Sequence, residues 1–304
     1  IVYVVILVQA ALVEGPASGV GVVHPGEEAG PGRSADHAAV GARKPHAFRS
    51  EPVDIRCIDL LLTIHADMPV AEVIGHDDYH IRPLILIAAG LSVGFRANVW
   101  NIGAEGQITL GVIFSGALAL SYGDSGGWWV LPAMVLLGAL GGGLWSALPA
   151  LLRIRYRANE ILTSLMLNYV ANFWLVYLVF NPWRDPEGFN FPQSKPLGEA
   201  ALFPLLIEGT RINVSVLFAP LAVVLVWVLF RRSFLGFQLD VRGASQGASR
   251  YAGFPGNRLV VIGMACGGVA AGIAGVAEIA GPLGQIYPNV TPGYGYAAIL
   301  VAFL

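Results

Sequence analysis

The sequence predicts an all-α fold, a polytopic bundle of membrane helices with about seven visible spans, and three observations lead to it. First, 55% of the 304 residues are hydrophobic and only 12% are charged, with a mean hydropathy of +0.64, which is far more apolar than a soluble domain. Second, apolar runs close to the roughly 20 residues that a crossing helix needs recur from residue 81 onward. Third, glycines recur at intervals of four inside these runs, a spacing that lets membrane helices pack closely.

The predicted spans follow one another with polar connections between them. They cover residues 82–100, 107–121, 127–151, 161–180, 213–230 and 259–280, and a seventh begins near residue 294 and is truncated. The second run is short for a full crossing, so we expect a broken or partly re-entrant helix there. Residues 81–304 are expected to form one transmembrane domain, truncated at its C-terminus.

The first 80 residues differ from the rest in composition. They contain all six histidines, and residues 14–58 show neither helical nor strand periodicity. We assign no fold to this atypical segment and interpret it as a misread or frame-shifted translation. Its His-Asp-Asp-Tyr-His cluster at residues 76–80 offers two ligand types at one short spacing, with no third partner, so no metal site is predicted.

Basic residues predict the orientation, because Lys and Arg are retained in cytoplasmic loops. Loops 152–160 and 231–258 share one side by parity and together hold eight arginines. The opposite side holds three basic residues, all in the long loop 181–212. We therefore place the first two loops in the cytoplasm and expect a multi-pass protein of the plasma membrane. The long loop is expected to be an ordered external segment.

Several function classes do not fit this composition. The net charge of −2 lacks the basic excess that binding to phosphates requires, so no nucleic-acid partner is expected. The spans contain no histidine, and no catalytic signature is present, so the chain is not expected to be an enzyme. A Walker A loop needs a Gly-Lys pair, whereas the two lysines, Lys44 and Lys195, follow Arg43 and Ser194. Any ATP is therefore bound by a separate polypeptide, and no cofactor is predicted for this chain.

Polar side chains in or beside the spans are the candidates for function, because they are costly at membrane depth and usually face a cavity or a partner helix. Arg96 and Asn172 have this setting, but we give them no specific role. Hydrogen bonds between helices are the alternative role for all of these side chains. The residues that we select for the translocation pathway or its gating are Asn101, Glu105, Gln107, Asn168 and Glu278.

Three stretches, taken in their order along the chain, carry a family resemblance. They are residues 95–107 (FRANVWNIGAEGQ), residues 158–169 (ANEILTSLMLNY), and residues 243–253 (GASQGASRYAG) followed later by 293–302 (GYGYAAILVA). Together they resemble permease subunits of bacterial ABC importers, in the family that serves ribose, branched-chain amino acids and nucleosides, with the simple-sugar and nucleoside branch most similar. The likeness covers residues 82–304. It departs from the family pattern at Ser245-Gln246, where Asn-Pro is frequent, and at Ser249, where Ala is frequent.

The resemblance implies a transmembrane subunit that forms the pathway for a small polar solute, a nucleoside or a simple sugar. It also implies a cytoplasmic helix that docks on an ATP-hydrolysing subunit. Alanines at every fourth position from 244 to 252 predict one helix with a small-residue face for this contact, although a helix lying on the membrane surface is the alternative. The ATPase-coupling residues are then Gly243, Ala244, Ala248, Arg250, Tyr251, Ala252 and Gly253.

The partners that the resemblance implies are an ATP-binding subunit, a second permease subunit, an extracytoplasmic solute-binding protein and membrane lipid. A different class stays open, an ion-gradient-driven secondary transporter or channel. That class predicts internal repeats and ion-coupling acids at mid-membrane. No clear repeat is visible, and the acids lie near the ends of the predicted spans.

Overall fold

The computed structural model describes residues 81–188, 191–206 and 212–303. These residues form nine α-helices and contain no β-strand, only isolated β-bridges. The segment 1–80, including the cluster at residues 76–80, lies outside the described residues. The helices are α1 Ile81–Arg96, α2 Ala104–Tyr122, α3 Val130–Tyr156, α4 Glu160–Phe180, α5 Phe218–Arg232, α6 Phe234–Ala244, α7 Gln246–Tyr251, α8 Gly256–Glu278 and α9 Tyr294–Phe303.

Seven of these helices occupy the seven predicted segments, so the all-α membrane bundle is confirmed. Within the described residues, five are long and apolar enough to cross a membrane: α2, α3, α4, α5 with its preceding turn (Val214–Arg232), and α8 with its following turn (Gly256–Leu283). The other two are α1 with 16 residues and the apolar α9 with 10.

The expectation of a broken second helix was wrong. α2 runs without interruption over 19 residues, and the irregular segment lies before it, at residues 97–103. Glu105 lowers the hydropathy of the first turn of α2, so the predicted span began at residue 107 instead of residue 104. Glu105 and Gln107 both lie in this turn. Both side chains find hydrogen-bond acceptors or donors inside the protein, so the helix extends through them.

α8 lies at the centre of the bundle and packs against α1, α2 and α3. Glycines allow this approach: a Cβ added at Gly142 of α3 would collide with the carbonyl oxygen of Gly268, and one added at Gly272 with that of Gly138. Gly138 and Gly142 on α3, like Gly268 and Gly272 on α8, are four positions apart, which is the spacing that the sequence analysis relates to close packing. Because lipid supplies no hydrophobic force between helices, such close backbone contact is what holds the bundle together.

The long loop between α4 and α5 folds back over the turn after α8. The backbone N–H of Ser194 donates to the carbonyl of Ile286, and the N–H of Ile286 donates to Ser194 Oγ, both at 2.9 Å. The N–H of Leu197 donates to the carbonyl of Gly284 at 2.9 Å. The described part of this loop is therefore ordered, as predicted.

Candidate functional site

Glu105 connects the first turn of α2 to the start of α9. Its Oε2 accepts a hydrogen bond of 2.7 Å from the backbone N–H of Gly295, and its Oε1 accepts one of 3.2 Å from that of Gly293. N–H groups at a helix start lack partners within the helix, and a negative charge is favourable there. The carboxylate of one helix thus caps the N-terminus of another. Gly293 has φ 96°, a conformation that favours glycine.

Asn168 of α4 binds both sides of the same junction. Its Oδ1 accepts a hydrogen bond of 3.0 Å from the N–H of Gly106, and its Nδ2 donates to the carbonyl of Ile102 at 3.1 Å. Nδ2 also lies 3.2 Å from the hydroxyl oxygen of Tyr296. Asn168 therefore joins α4 to the segment before α2, to α2 itself and to α9.

Glu278, at the end of α8, contacts the neighbouring tyrosine of α9. The Tyr294 hydroxyl lies 3.5 Å from Glu278 Oε1, and both side chains are buried. Residues 293–296 are consequently held by side chains from α2, α4 and α8. Residues 293–296 belong to the quoted motif 293–302, but sequence reasoning did not select their tyrosines as site residues.

Asn101 and Gln107 form a reciprocal amide pair. Asn101 Nδ2 donates to Gln107 Oε1 at 3.0 Å, and Gln107 Nε2 donates to Asn101 Oδ1 at 2.9 Å. Each residue is 1% exposed. A Cβ added at Gly267, halfway along α8, would lie 2.9 Å from Asn101 Nδ2, which places the pair at mid-bundle depth. A polar pair is tolerated there because each amide satisfies the other.

The five residues predicted for pathway or gating therefore fall into one connected arrangement, which we call the junction: Asn101, Glu105, Gln107, Asn168 and Glu278. Asn101, Glu105, Gln107 and Asn168 gather where segment 97–103 enters α2, and Glu278 joins them through α9. Each has a hydrogen-bond partner in the protein. Chemically, the junction positions two chain segments, 97–103 and the start of α9.

Asn172 lies one turn after Asn168 on α4, and its environment is different. It is exposed, and so are its neighbours Tyr169 and Phe173, at 57% and 71%. Asn172 lies near the middle of a 21-residue span, where an exposed amide is unfavourable against lipid. Asn172 is therefore an exposed amide within a mostly apolar span.

The predicted coupling residues lie on two helices that meet at Ser245. This residue has extended backbone angles, φ −157° and ψ 117°, and it ends α6. Its Oγ accepts a hydrogen bond of 3.2 Å from the N–H of Ala248, which caps α7. The expectation of one helix with alanines on a single face was therefore wrong. Ser245 is the N-cap of α7, and Gln246 is its first helical residue. Asn and Pro, which are frequent here in the family, are residues that favour the same two positions.

α7 projects from the end of the bundle. Tyr251 is 97% exposed, and Gly253 is exposed with φ 72°, which favours glycine. Gly243 instead packs so closely against the carbonyl oxygen of Arg96 that a Cβ there would collide with it. The exposed coupling residues are thus Ala244, Ala248, Arg250, Tyr251, Ala252 and Gly253.

The two arginine-rich loops meet at this end of the bundle. Arg153 Nη1 forms an ion pair of 2.6 Å with Glu160. Burial, together with the charges of Arg153 and Arg250, holds the pKa of Arg242 below its usual range, while Glu160 opposes the effect. Loops 152–160 and 231–258 therefore lie together, as their shared parity predicts.

The described residues thus form the bundle of a polytopic membrane protein, with a polar junction just before α2 and an exposed helix at the arginine-rich end. The family described as "Branched-chain amino acid transport system / permease component" matches residues 79–304. The chain belongs to this family of ABC transporter permeases, which confirms the resemblance and makes it an integral, multi-pass protein of the cytoplasmic membrane.

Similar relatives are named as permeases for sugars or nucleosides. A glucose ABC transporter permease of Haloferax volcanii is 34% identical over 278 residues, covering 88% of this chain and 71% of the relative. A guanosine ABC transporter permease of Bacillus subtilis is 29% identical over 234 residues, covering 76% and 67%. A nucleoside ABC transporter permease of Lactococcus lactis is 29% identical over 213 residues, covering 68% and 58%. No solved structure is detectably similar.

Proposed function

We propose that the chain forms the translocation pathway of an ATP-driven importer for a small polar solute, a nucleoside or a simple sugar. One structural connection carries the proposal. Gly243, beside the exposed α7, packs on the carbonyl oxygen of Arg96. Segment 97–103 follows Arg96 directly. It contains Asn101, which pairs with Gln107 in the middle of the bundle. Movement of α7 therefore has a short backbone route to the junction.

In this proposal a separate ATP-binding subunit docks on α7 and binds the ATP. Exposed aromatic and arginine side chains dominate the binding energy of protein interfaces, and α7 presents both in Tyr251 and Arg250. Small residues beside them, Ala248 and Ala252, let a partner approach closely. An extracytoplasmic solute-binding protein delivers the solute, and closure of the ATP-binding subunits reorients the bundle.

A second permease subunit covers the α4 face that contains Asn172, and the pathway runs between the two. The amide and the rings of Tyr169 and Phe173 offer a hydrogen-bonding group beside aromatic surface. Bases stack on aromatic side chains, and an amide both donates to and accepts from the hydroxyl groups that nucleosides and sugars carry. The relatives' names support the same two solute classes.

The junction acts as a gate in this mechanism. It fixes the start of α9 and the segment 97–103 through hydrogen bonds that a small shift of either segment would break. Glu105, Asn168 and Glu278 hold α9, while Asn101 and Gln107 hold the entry to α2. The solute itself is carried unchanged, so the chain performs no bond chemistry.

The test is Ala248→Arg in the full-length permease, reconstituted in proteoliposomes with its ATP-binding subunit. We expect the purified variant to fold normally, because Ala248 is exposed, but to lose ATP-dependent uptake while ATP hydrolysis becomes independent of solute. Ala248→Ser keeps a small side chain and is the matched control. Normal coupled uptake by Ala248→Arg would remove the coupling assignment. Uptake that needs no ATP-binding subunit and stops with ionophores would instead support a gradient-driven secondary transporter or channel.

A further inference from the structure

A cavity of about 390 Å³ lies between α6, α7 and the start of α8. Its lining includes Arg242, Gln246, Ser249, Arg250, Asn257 and Arg258. Of the described residues that line it, three are arginines and none is an acid. The nearby Glu160 is already paired with Arg153 at 2.6 Å. The cavity therefore holds a concentrated positive charge without a matching negative charge from its own walls.

Two polar atoms in the cavity wall are shielded from solvent and lack a hydrogen-bond partner. They are Ser249 Oγ and Arg242 Nε. Ser249 is only 2% exposed. Buried polar groups in folded proteins are nearly always paired, and leaving one unpaired is costly. The unpaired Ser249 hydroxyl and Arg242 Nε thus indicate a group that the described part of the chain does not supply.

The start of α8 adds further donors to the same cavity. α8 has 23 residues, and the N–H groups of Gly256, Asn257 and Arg258 in its first turn have no partner within the helix. The guanidinium of Arg242 lies against this turn, since a Cβ added at Gly256 would be 2.7 Å from Arg242 Nη1. Backbone donors and the helix dipole at such a terminus favour an anion.

We propose that this cavity binds a phosphate group. Three guanidinium groups, a hydroxyl and a helix N-terminus provide donors on several sides, and their charge exceeds what one carboxylate neutralises. The phosphate comes either from a soluble compound or from the headgroup of an anionic phospholipid. Phe234, Leu235 and Phe237 at the start of α6 are 66%, 41% and 54% exposed, which places apolar surface suited to the membrane interface on the same helix as Arg242.

The experiment uses the purified full-length permease without any partner subunit. In one arm, inorganic phosphate is titrated at constant ionic strength against chloride, and the thermal unfolding midpoint is followed. In the other arm, native mass spectrometry compares retention of phosphatidic acid with that of phosphatidylcholine. We expect saturable binding of phosphate, of phosphatidic acid, or of both. Binding of phosphatidic acid alone would assign the site to a lipid headgroup, and binding of inorganic phosphate would assign it to a soluble phosphate.

Substitutions of residues that line the cavity test whether phosphate binds there. Ser249→Ala should weaken it about tenfold, since a hydrogen bond to a charged group is lost, and Arg242→Gln should weaken it more. Ser249→Ala should not lower the midpoint of the phosphate-free protein and should raise it slightly, because the buried hydroxyl has no partner there. Arg232→Gln, an exposed arginine at the end of α5, is the control and should bind as wild type does.

Three results would overturn the proposal. The first is that the wild-type protein binds neither phosphate nor phosphatidic acid. The second is that Arg232→Gln loses as much affinity as Arg242→Gln. Acetate that binds as tightly as phosphate would show that the cavity accepts carboxylates, which would point to an acidic side chain of a protein partner.

Discussion

The carboxylate of Glu105 accepts a hydrogen bond of 2.7 Å from the backbone N–H of Gly295, 190 positions further along the chain. The contact fixes the start of α9 against the start of α2 inside an apolar bundle. The other carboxylate oxygen of Glu105 accepts a hydrogen bond from the backbone N–H of Gly293, so both oxygens have a partner. The stability of the junction therefore depends on one carboxyl group whose partners are two backbone donors and the side chain of Thr291.

Glu105→Gln removes the charge and leaves one carbonyl oxygen for two N–H donors. We expect the free energy of unfolding to fall by about 1–3 kcal/mol, because a buried N–H loses its acceptor and the helix N-terminus loses its anion. Thermal and denaturant unfolding of the purified permease in detergent measure this. Glu187→Gln, exposed in the outer loop, should leave stability unchanged. A Glu105→Gln variant as stable as wild type would show that the carboxylate does not cap α9.

The Asn101–Gln107 pair should behave as a unit in a double-mutant cycle. Asn101→Ala alone leaves the Gln107 amide without its partner, and Gln107→Ala does the reverse. The double variant removes both amides, so its loss of stability should be smaller than the sum by about 1–2 kcal/mol. Unfolding of the three variants under identical detergent conditions gives this coupling energy. Simple additivity would mean that the two amides do not depend on each other.

The centre of the bundle should tolerate no side chain at Gly272. Gly272→Ala places a Cβ into the backbone of α3 at Gly138, and we expect a loss of about 1–3 kcal/mol or more from overpacking. Gly143→Ala is the matched control on the facing helix, since its nearest neighbour is the end of the Val269 side chain at 3.1 Å. Yields of folded protein and unfolding midpoints should separate the two variants. Equal behaviour would contradict the close packing of α3 on α8.

Hydropathy and glycine spacing predicted the seven helical segments because both follow directly from the demands of a membrane. The start of α2 was misplaced because Glu105 reduces the hydropathy of its first turn, while the burial of Glu105 depends on partners far away in sequence. These partners are the N–H groups of Gly293 and Gly295, which lie 188 and 190 positions further along the chain. The single coupling helix was mispredicted for a local reason: Ser245 was read as a helical residue, whereas it is the cap that separates α6 from α7.

Asn172 distinguishes a solute pathway from a lipid-facing surface. Asn172→Leu should leave unfolding unchanged, because the side chain is exposed, but it should lower solute uptake in proteoliposomes severalfold if the α4 face lines the pathway as proposed. Val170→Leu, an exposed apolar position on the same helix, is the control. Unchanged uptake by Asn172→Leu, with the control also unchanged, would place this face against lipid and move the pathway elsewhere.

Tyr251 tests whether α7 is the docking element. At 97% exposure its side chain contributes almost nothing to the fold, so Tyr251→Ala should change the free energy of unfolding by less than about 0.5 kcal/mol. Loss of an interface tyrosine should nevertheless weaken binding of the ATP-binding subunit about tenfold or more. Affinity is measured with immobilised permease. Tyr156→Ala is the control, since Tyr156 is 73% exposed at the same end of the bundle but lies on α3. Equal loss in both variants would mean that the ATP-binding subunit contacts the whole arginine-rich end, and no loss from Tyr251→Ala would exclude α7 as the main contact.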